Sequence, residues 1–141
     1  MRFMVITKMT DEAEAGQLPS TEAMVEMGRY MEDLVKAGVL IAADGLQPTS
    51  KGARVRFDGD DRTVVDGPFA EAKEVIASFS ILDVASREEA IEWVKRTPNV
   101  VPGRVFEAEI RQIFEPEDFA EVATDEVKAF DDNVGVLRQH D

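Results

Sequence analysis

Two hydrophobic periods take turns along this chain, and the order in which they alternate constrains its fold more than any other feature. Residues 2–8 alternate with the strand period, Phe3 and Val5 to one side and Met4 and Ile6 to the other. Both sides are apolar, which predicts a central strand rather than an edge. Residues 10–19 hold Asp11, Glu12, Glu14, Gly16 and Pro19 and read as a solvated loop. That loop ends at Ser20, an N-cap for a helix beginning at Thr21. Met24, Met27, Met31, Leu34 and Val35 then recur at helical spacing, and Gly38 supplies the left-handed stop. Val39 to Ala42 is a short apolar run fit for a second strand, and Gly45 and Pro48 enforce an irregular path after it.

The pattern then repeats with a hairpin in between. Val55 and Phe57 alternate with Arg54 and Arg56, and Thr63 to Val65 follow the turn-forming run Asp58-Gly59-Asp60-Asp61. Residues Val75 to Val84 alternate as a longer strand. Ser86 and Glu89 form a capping box in which the Ser hydroxyl accepts from the Glu89 amide and the Glu89 carboxylate reaches back to the Ser86 amide. Ala90, Ile91 and Val94 line the helix that follows, Thr97-Pro98 ends it, and residues Arg104 to Phe114 return as a strand. The order β-α-β, hairpin, β-α-β predicts an α+β chain with a ferredoxin-like fold. Its helices cover one face of the sheet, while Phe3–Ile6 and Val75–Ile81 are apolar on both. A homodimer of the α/β-barrel type, sheet facing sheet, is therefore expected.

At 141 residues and 44% hydrophobic, the chain can build one core without metal or disulfide staples. It has no Cys, which excludes cysteine nucleophiles and thiolate metal sites and fits a reducing compartment. The apolar start Met1–Ile6 is too short for a signal segment, and no run approaches the roughly 20 apolar residues of a membrane span. A cytoplasmic location without membrane attachment is expected. The net charge of -13 disfavours direct nucleic-acid binding, which draws its affinity from cations on phosphates. Nine acids against two bases fall in residues 115–141, a balance of -7. We divide the chain accordingly into a domain at residues 1–115 and an acidic extension at 116–141. In the extension Phe119 and Val122, then Val127, Phe130, Val134 and Leu137, have helical spacing. At least one helix is expected there, packed on the body or on a second copy.

The stretch from Asp66 to Glu74 joins a tight turn to a cluster of charges. Asp66 can cap its loop, Gly67 permits a positive φ, Pro68 fixes the next φ and Phe69 can anchor the loop in the core. Lys73 and Glu74 alternate in direction as a strand begins, so one of them faces the cleft side. A carboxylate beside a lysine can polarise a carbonyl or move a proton. The run Asp66-Gly67-Pro68-Phe69-Ala70-Glu71-Ala72-Lys73-Glu74 resembles the signature of the DGPF, or DGPFAETKE, branch of the YCII-related proteins. Ala72 stands where the signature has Thr, and the other eight positions agree. The resemblance implies a small ferredoxin-like protein that pairs around a cleft. It carries over Asp66, Gly67, Pro68, Phe69, Lys73 and Glu74 as signature residues, and of these the charged Asp66, Lys73 and Glu74 are the candidate catalytic residues.

Tyr30 and Arg29 on the first helix and Phe69 in the loop are candidate ligand-binding residues, Tyr30 for its polar-tipped ring and Arg29 for an anion. Some YCII-related proteins resemble hydrolases or lyases with a His–Asp pair whose His lies on the first helix. Here the sole histidine is His140, near the end of the acidic extension, and the first helix offers Met27 and Lys36 instead. A histidine mechanism is not expected, nor is a metal or other cofactor, since the usual ligands of zinc and heme are missing. The resulting expectation is a small-molecule-binding protein with room for cofactor-free acid–base catalysis. Two rival readings stand beside it: a ligand-sensing accessory module acting with a sigma-factor-like transcription regulator, which the resemblance also permits, and a heme-free monooxygenase of similar shape.

Overall fold

The computed structural model describes residues 1–71, 74–99, 103 and 105–134. In chain order it contains β1 (Arg2–Lys8), α1 (Asp11–Glu14), α2 (Thr21–Lys36), β2 (Leu40–Gly45), β3 (Ala53–Asp58), β4 (Asp61–Asp66), β5 (Ile76–Asp83), α3 (Arg87–Lys95), β6 (Ala108–Gln112) and α4 (Asp125–Val134). Four strands form one sheet in the order β2-β5-β1-β6, and every neighbouring pair is antiparallel. This is the ferredoxin-like arrangement read from the periodicity. The hairpin β3–β4, inserted between β2 and β5, forms its own two-stranded sheet.

Local chemistry sets the helix ends. The Ser20 hydroxyl accepts from the Ala23 amide at 3.1 Å and starts α2, and Gly38, at φ 73°, follows its end. The Ser86 hydroxyl accepts from the Glu89 amide at 3.1 Å. The return bond differs from the expected box: the Glu89 carboxylate accepts from the Ala85 amide, at 2.8 Å, one residue further back. The loop expected over residues 10–19 also begins with a helical turn, α1, capped by the Thr10 hydroxyl on the Ala13 amide. Its acids suit a helix N-terminus, a local effect that hydrophobic spacing does not register. The last strand is shorter than the span 104–114, since Val105 to Glu107 have no regular structure and Arg104 lies outside the described residues.

Helices α2 and α3 supply the other half of the core. Phe3 on β1 pairs with Leu82 on β5, and both point into a cluster with Val5, Tyr30, Leu34 and Ala90. Leu34 and Leu82 are each 1% exposed. Burying a leucine side chain stabilises the fold by about 1.5–3 kcal/mol, so this layer dominates the energetics. On the other face of the sheet, Met4 pairs with Ile81 and Ile6 with Phe79. Met4, Phe79 and Ile81 are only half-buried in the single chain.

The helix expected in the extension forms, but this chain alone does not bury its apolar side. Val122 and Phe130 are 71% and 60% exposed, while Phe119 packs against Phe114 with ring centroids 4.7 Å apart. A segment so rich in carboxylates meets an already acidic body and gains little by folding back on it. It is tied at its root, where Arg2 donates to both Glu115 oxygens at 2.7 and 3.2 Å. That bond raises the Arg2 pKa above its ordinary value. Val134 ends α4, and Leu137 and His140 lie outside the described residues. No helix among the described residues is long and apolar enough to cross a membrane.

Candidate functional site

Thr49, which opens a single 3₁₀ turn over Thr49–Lys51, holds the signature loop in place. Its side chain is buried, at 8% exposure, between two segments far apart in sequence. On one side the Glu14 carboxylate Oε1 accepts from the Thr49 amide at 2.6 Å and from its hydroxyl at 2.9 Å. On the other, the Thr49 hydroxyl accepts from the Phe69 amide at 2.9 Å. One hydroxyl therefore donates to α1 and accepts from the signature loop. Glu14 Oε2 is buried without a hydrogen-bond partner among the described residues.

Gly67 completes this clamp. Its amide donates to the Gly52 carbonyl at 2.9 Å, bringing the loop backbone against the 3₁₀ turn. Gly67 is not at the positive φ expected of it; a Cβ built there would lie 1.7 Å from the Thr49 carbonyl oxygen, so it is close approach that only glycine allows without displacement. The Gly67–Pro68 peptide is cis. Glu71 adopts a left-handed φ of 67°, unusual for a side chain of its size, and its carbonyl accepts from the Glu74 amide at 3.0 Å. Such a conformation costs on the order of 1–3 kcal/mol and persists only where its surroundings enforce it.

Loop and turn together shape a concavity of about 470 Å³. Leu46, Pro48, Val75 and Ile76 form its apolar wall. Lys51, Arg54, Phe69 and Glu74 bring the charges and the ring. The Arg54 guanidinium sits over the Phe69 ring, 3.9 Å from its centroid, a cation–π contact that orients both groups. The volume is in the range of small-molecule sites, and apolar walls with a few polar groups are their usual composition.

The predicted site residues separate on this framework. Phe69 and Glu74 share the concavity. Phe69 is half-buried beneath Arg54 and does not enter the core as expected, because its amide is drawn toward Thr49 at the margin of the fold. Lys73 lies outside the described residues. Asp66 is exposed at the end of β4, where it pairs with Ala53 across the hairpin and is not among the concavity's lining residues. Tyr30 is a core residue whose hydroxyl donates to the Trp93 carbonyl at 2.9 Å, and Arg29 is exposed on α2. Burial raises the Tyr30 pKa above its ordinary 10.0, while a hydrogen bond with Thr97 and the charge of Arg96 pull it down.

Glu14, Thr49, Lys51 and Arg54 were not picked out by sequence reasoning. Thr49 acts through partners 35 and 20 positions away, which no local pattern encodes. Arg54 had a signal, being the cation beside Val55 in a strand whose neighbouring loop offered an aromatic ring.

The chain matches the YCII-related domain over residues 1–114 and belongs to that family. It is 34% identical over 79 residues to an uncharacterized protein of Rhizobium meliloti (strain 1021), a match that covers 56% of this chain and 64% of that relative's length. Among solved structures it resembles a 5-chloro-2-hydroxyhydroquinone dehydrochlorinase from Burkholderia phenoliruptrix in complex with 2,5-dihydroxybenzoquinone. The likeness has a TM-score of 0.47 at 15% identity and covers 84% of this chain and 98% of the other.

Proposed function

We propose that this YCII-related protein belongs to the DGPF branch and binds a small molecule in the concavity beside the signature loop. One observation carries the reading. The loop is pinned by Thr49 and Gly67 into a shape that puts Phe69 and Glu74 on the same wall as Lys51 and Arg54. The reaction class these groups support is proton transfer without a cofactor, with Glu74 accepting the proton and the neighbouring cations stabilising the charge that develops. Asp66, exposed at the end of β4, and Lys73, outside the described residues, stay candidate catalytic residues through the signature alone.

The working unit is a cytoplasmic homodimer in this reading. Half-buried Met4, Phe79 and Ile81 on the helix-free face of the sheet support it, because an apolar sheet face gains by meeting another. The hairpin gives separate support: Val55, Phe57 and Val64 are 49%, 70% and 64% exposed, and a lone two-stranded sheet is marginal in water. Light scattering at micromolar concentration is expected to give twice the chain mass. A stable monomer would remove the dimer from this account.

Ligand binding is tested by thermal-shift screening of a metabolite-sized library against the wild type, Glu74→Gln, Lys51→Gln and Arg54→Gln. Hits whose affinity changes in any of these variants support the site. Hits indifferent to Glu74, Lys51 and Arg54 place binding elsewhere and overturn it. Binding with no turnover of any hit would turn the account toward a ligand-sensing role.

A further inference from the structure

Charge is distributed against the trend of the chain at this concavity. The sequence has 29 acids and 16 bases, yet among the described residues the wall presents Lys51 and Arg54 against a single carboxylate, Glu74. Among the described residues Arg2, Arg87, Lys95 and Arg96 pair with carboxylates. Lys51 and Arg54 form no such pair, and neither do Arg56, Arg62 and Arg111; what sets Lys51 and Arg54 apart is that they share one concavity.

The fold fixes the backbone position of one cation and the head group of the other. Lys51 ends the 3₁₀ turn that Glu14 and Thr49 fix, and Arg54 is held by the face of Phe69. A guanidinium stacked on a ring keeps its N–H edge available, and that fork matches a carboxylate. Leu46, Pro48, Val75 and Ile76 give the rest of the wall its hydrocarbon, and Gln47, Thr49 and Gly52 complete it. Glu74 adds the limit: a second negative charge on the ligand would meet a carboxylate, at a cost that grows as water is excluded.

We infer that the concavity selects a small monocarboxylate, its carboxylate on Lys51 and Arg54 and its hydrocarbon body against the apolar wall. A phosphate monoester fits less well, since it carries about -1.5 to -2 charge near neutral pH and would be repelled by Glu74. A neutral ligand would draw no charge-assisted hydrogen bond from the two cations. This inference rests on the concavity being the binding site, and the experiment separates the two.

The test is amide NMR of the full chain titrated with benzoate, hexanoate, benzamide and phthalate. Benzoate and hexanoate are expected to give saturable shifts at the amides of Lys51, Gly52 and Phe69. Benzamide and phthalate should bind about tenfold more weakly, the scale of one charge-assisted hydrogen bond. Arg54→Gln and Lys51→Gln should each weaken benzoate by a similar factor with unchanged unfolding midpoints, and Arg54→Lys should fall between. Added salt should weaken benzoate and leave benzamide unaffected. If benzamide or phthalate matches benzoate at those amides, the monocarboxylate inference fails and the site stands. If no probe shifts them, or the shifts map elsewhere, the site reading fails as well.

Discussion

The sheet's helix-covered face and the signature loop are held by different forces. Beneath α2 and α3, Phe3, Leu34, Leu82 and Ala90 are almost wholly buried, and the fold there depends on filled volume. At the loop, Thr49 is the one buried polar side chain recorded among the described residues. Its bonds to Glu14 and Phe69, with the close approach of Gly67, fix the shape. Apolar burial supplies stability without much direction. Hydrogen bonds supply direction at a smaller net gain, about 0.5–1.5 kcal/mol each. The chain therefore separates the region that keeps it folded from the region that shapes a site.

If that separation is real, substitutions in the two regions should differ in kind as well as size. Leu82→Ala removes fully buried volume and is expected to cost about 2–5 kcal/mol in urea unfolding, with any ligand affinity changed only through the folded fraction. Gly67→Ala forces a methyl group into the Thr49 carbonyl and should cost about 1–3 kcal/mol while displacing the loop, so that binding fails in protein that is still folded. Thr49→Val keeps the shape but leaves the Phe69 amide without its acceptor, for a loss of about 1–3 kcal/mol, again with binding reduced beyond the stability change. Equal effects of Leu82→Ala and Thr49→Val on affinity in the folded protein would erase the distinction.

Smaller effects refine it. Tyr30 belongs to the core, and burial raises its pKa above 10.0. The native state thus holds this proton more tightly than the unfolded chain. Its contribution is whole below about pH 10 and falls as pH rises through the unfolded value and then the folded one. Tyr30→Phe should cost about 0.5–1.5 kcal/mol at neutral pH and flatten the alkaline decline in unfolding free energy. Smallest of all, truncation after Ala120 keeps the Arg2–Glu115 pair and should change the stability of the single chain by no more than about 0.5 kcal/mol. A larger loss confined to the dimer, seen as a concentration-dependent melting temperature, would show the extension packing on the second copy.

The core was legible in the sequence because it obeys a period. Phe3 and Val5 alternate, Leu34 falls on a helical stripe, and Ser20 and Ser86 mark helix starts that the structure keeps. The site was legible only in part. Phe69 and Glu74 were found through a motif, whereas Glu14 and Thr49 come together through the closed sheet and loop and have no signature of their own. Arg54 had a place in a strand pattern, but its stacking on Phe69 depends on how the hairpin leaves the sheet. The exposed side chains of α4 show the same limit from the other side: spacing gave the helix but not a surface to bury it.

Hydrogen exchange at the Phe69 amide tests most directly the division between a core held by volume and a site held by Thr49. In the wild type this amide should be protected although its residue is only half-buried. In Thr49→Val its protection should collapse while the amides of β5 keep theirs. A Phe69 amide that exchanges freely in the wild type, or that loses protection only together with β5, would contradict the clamp and the site built on it.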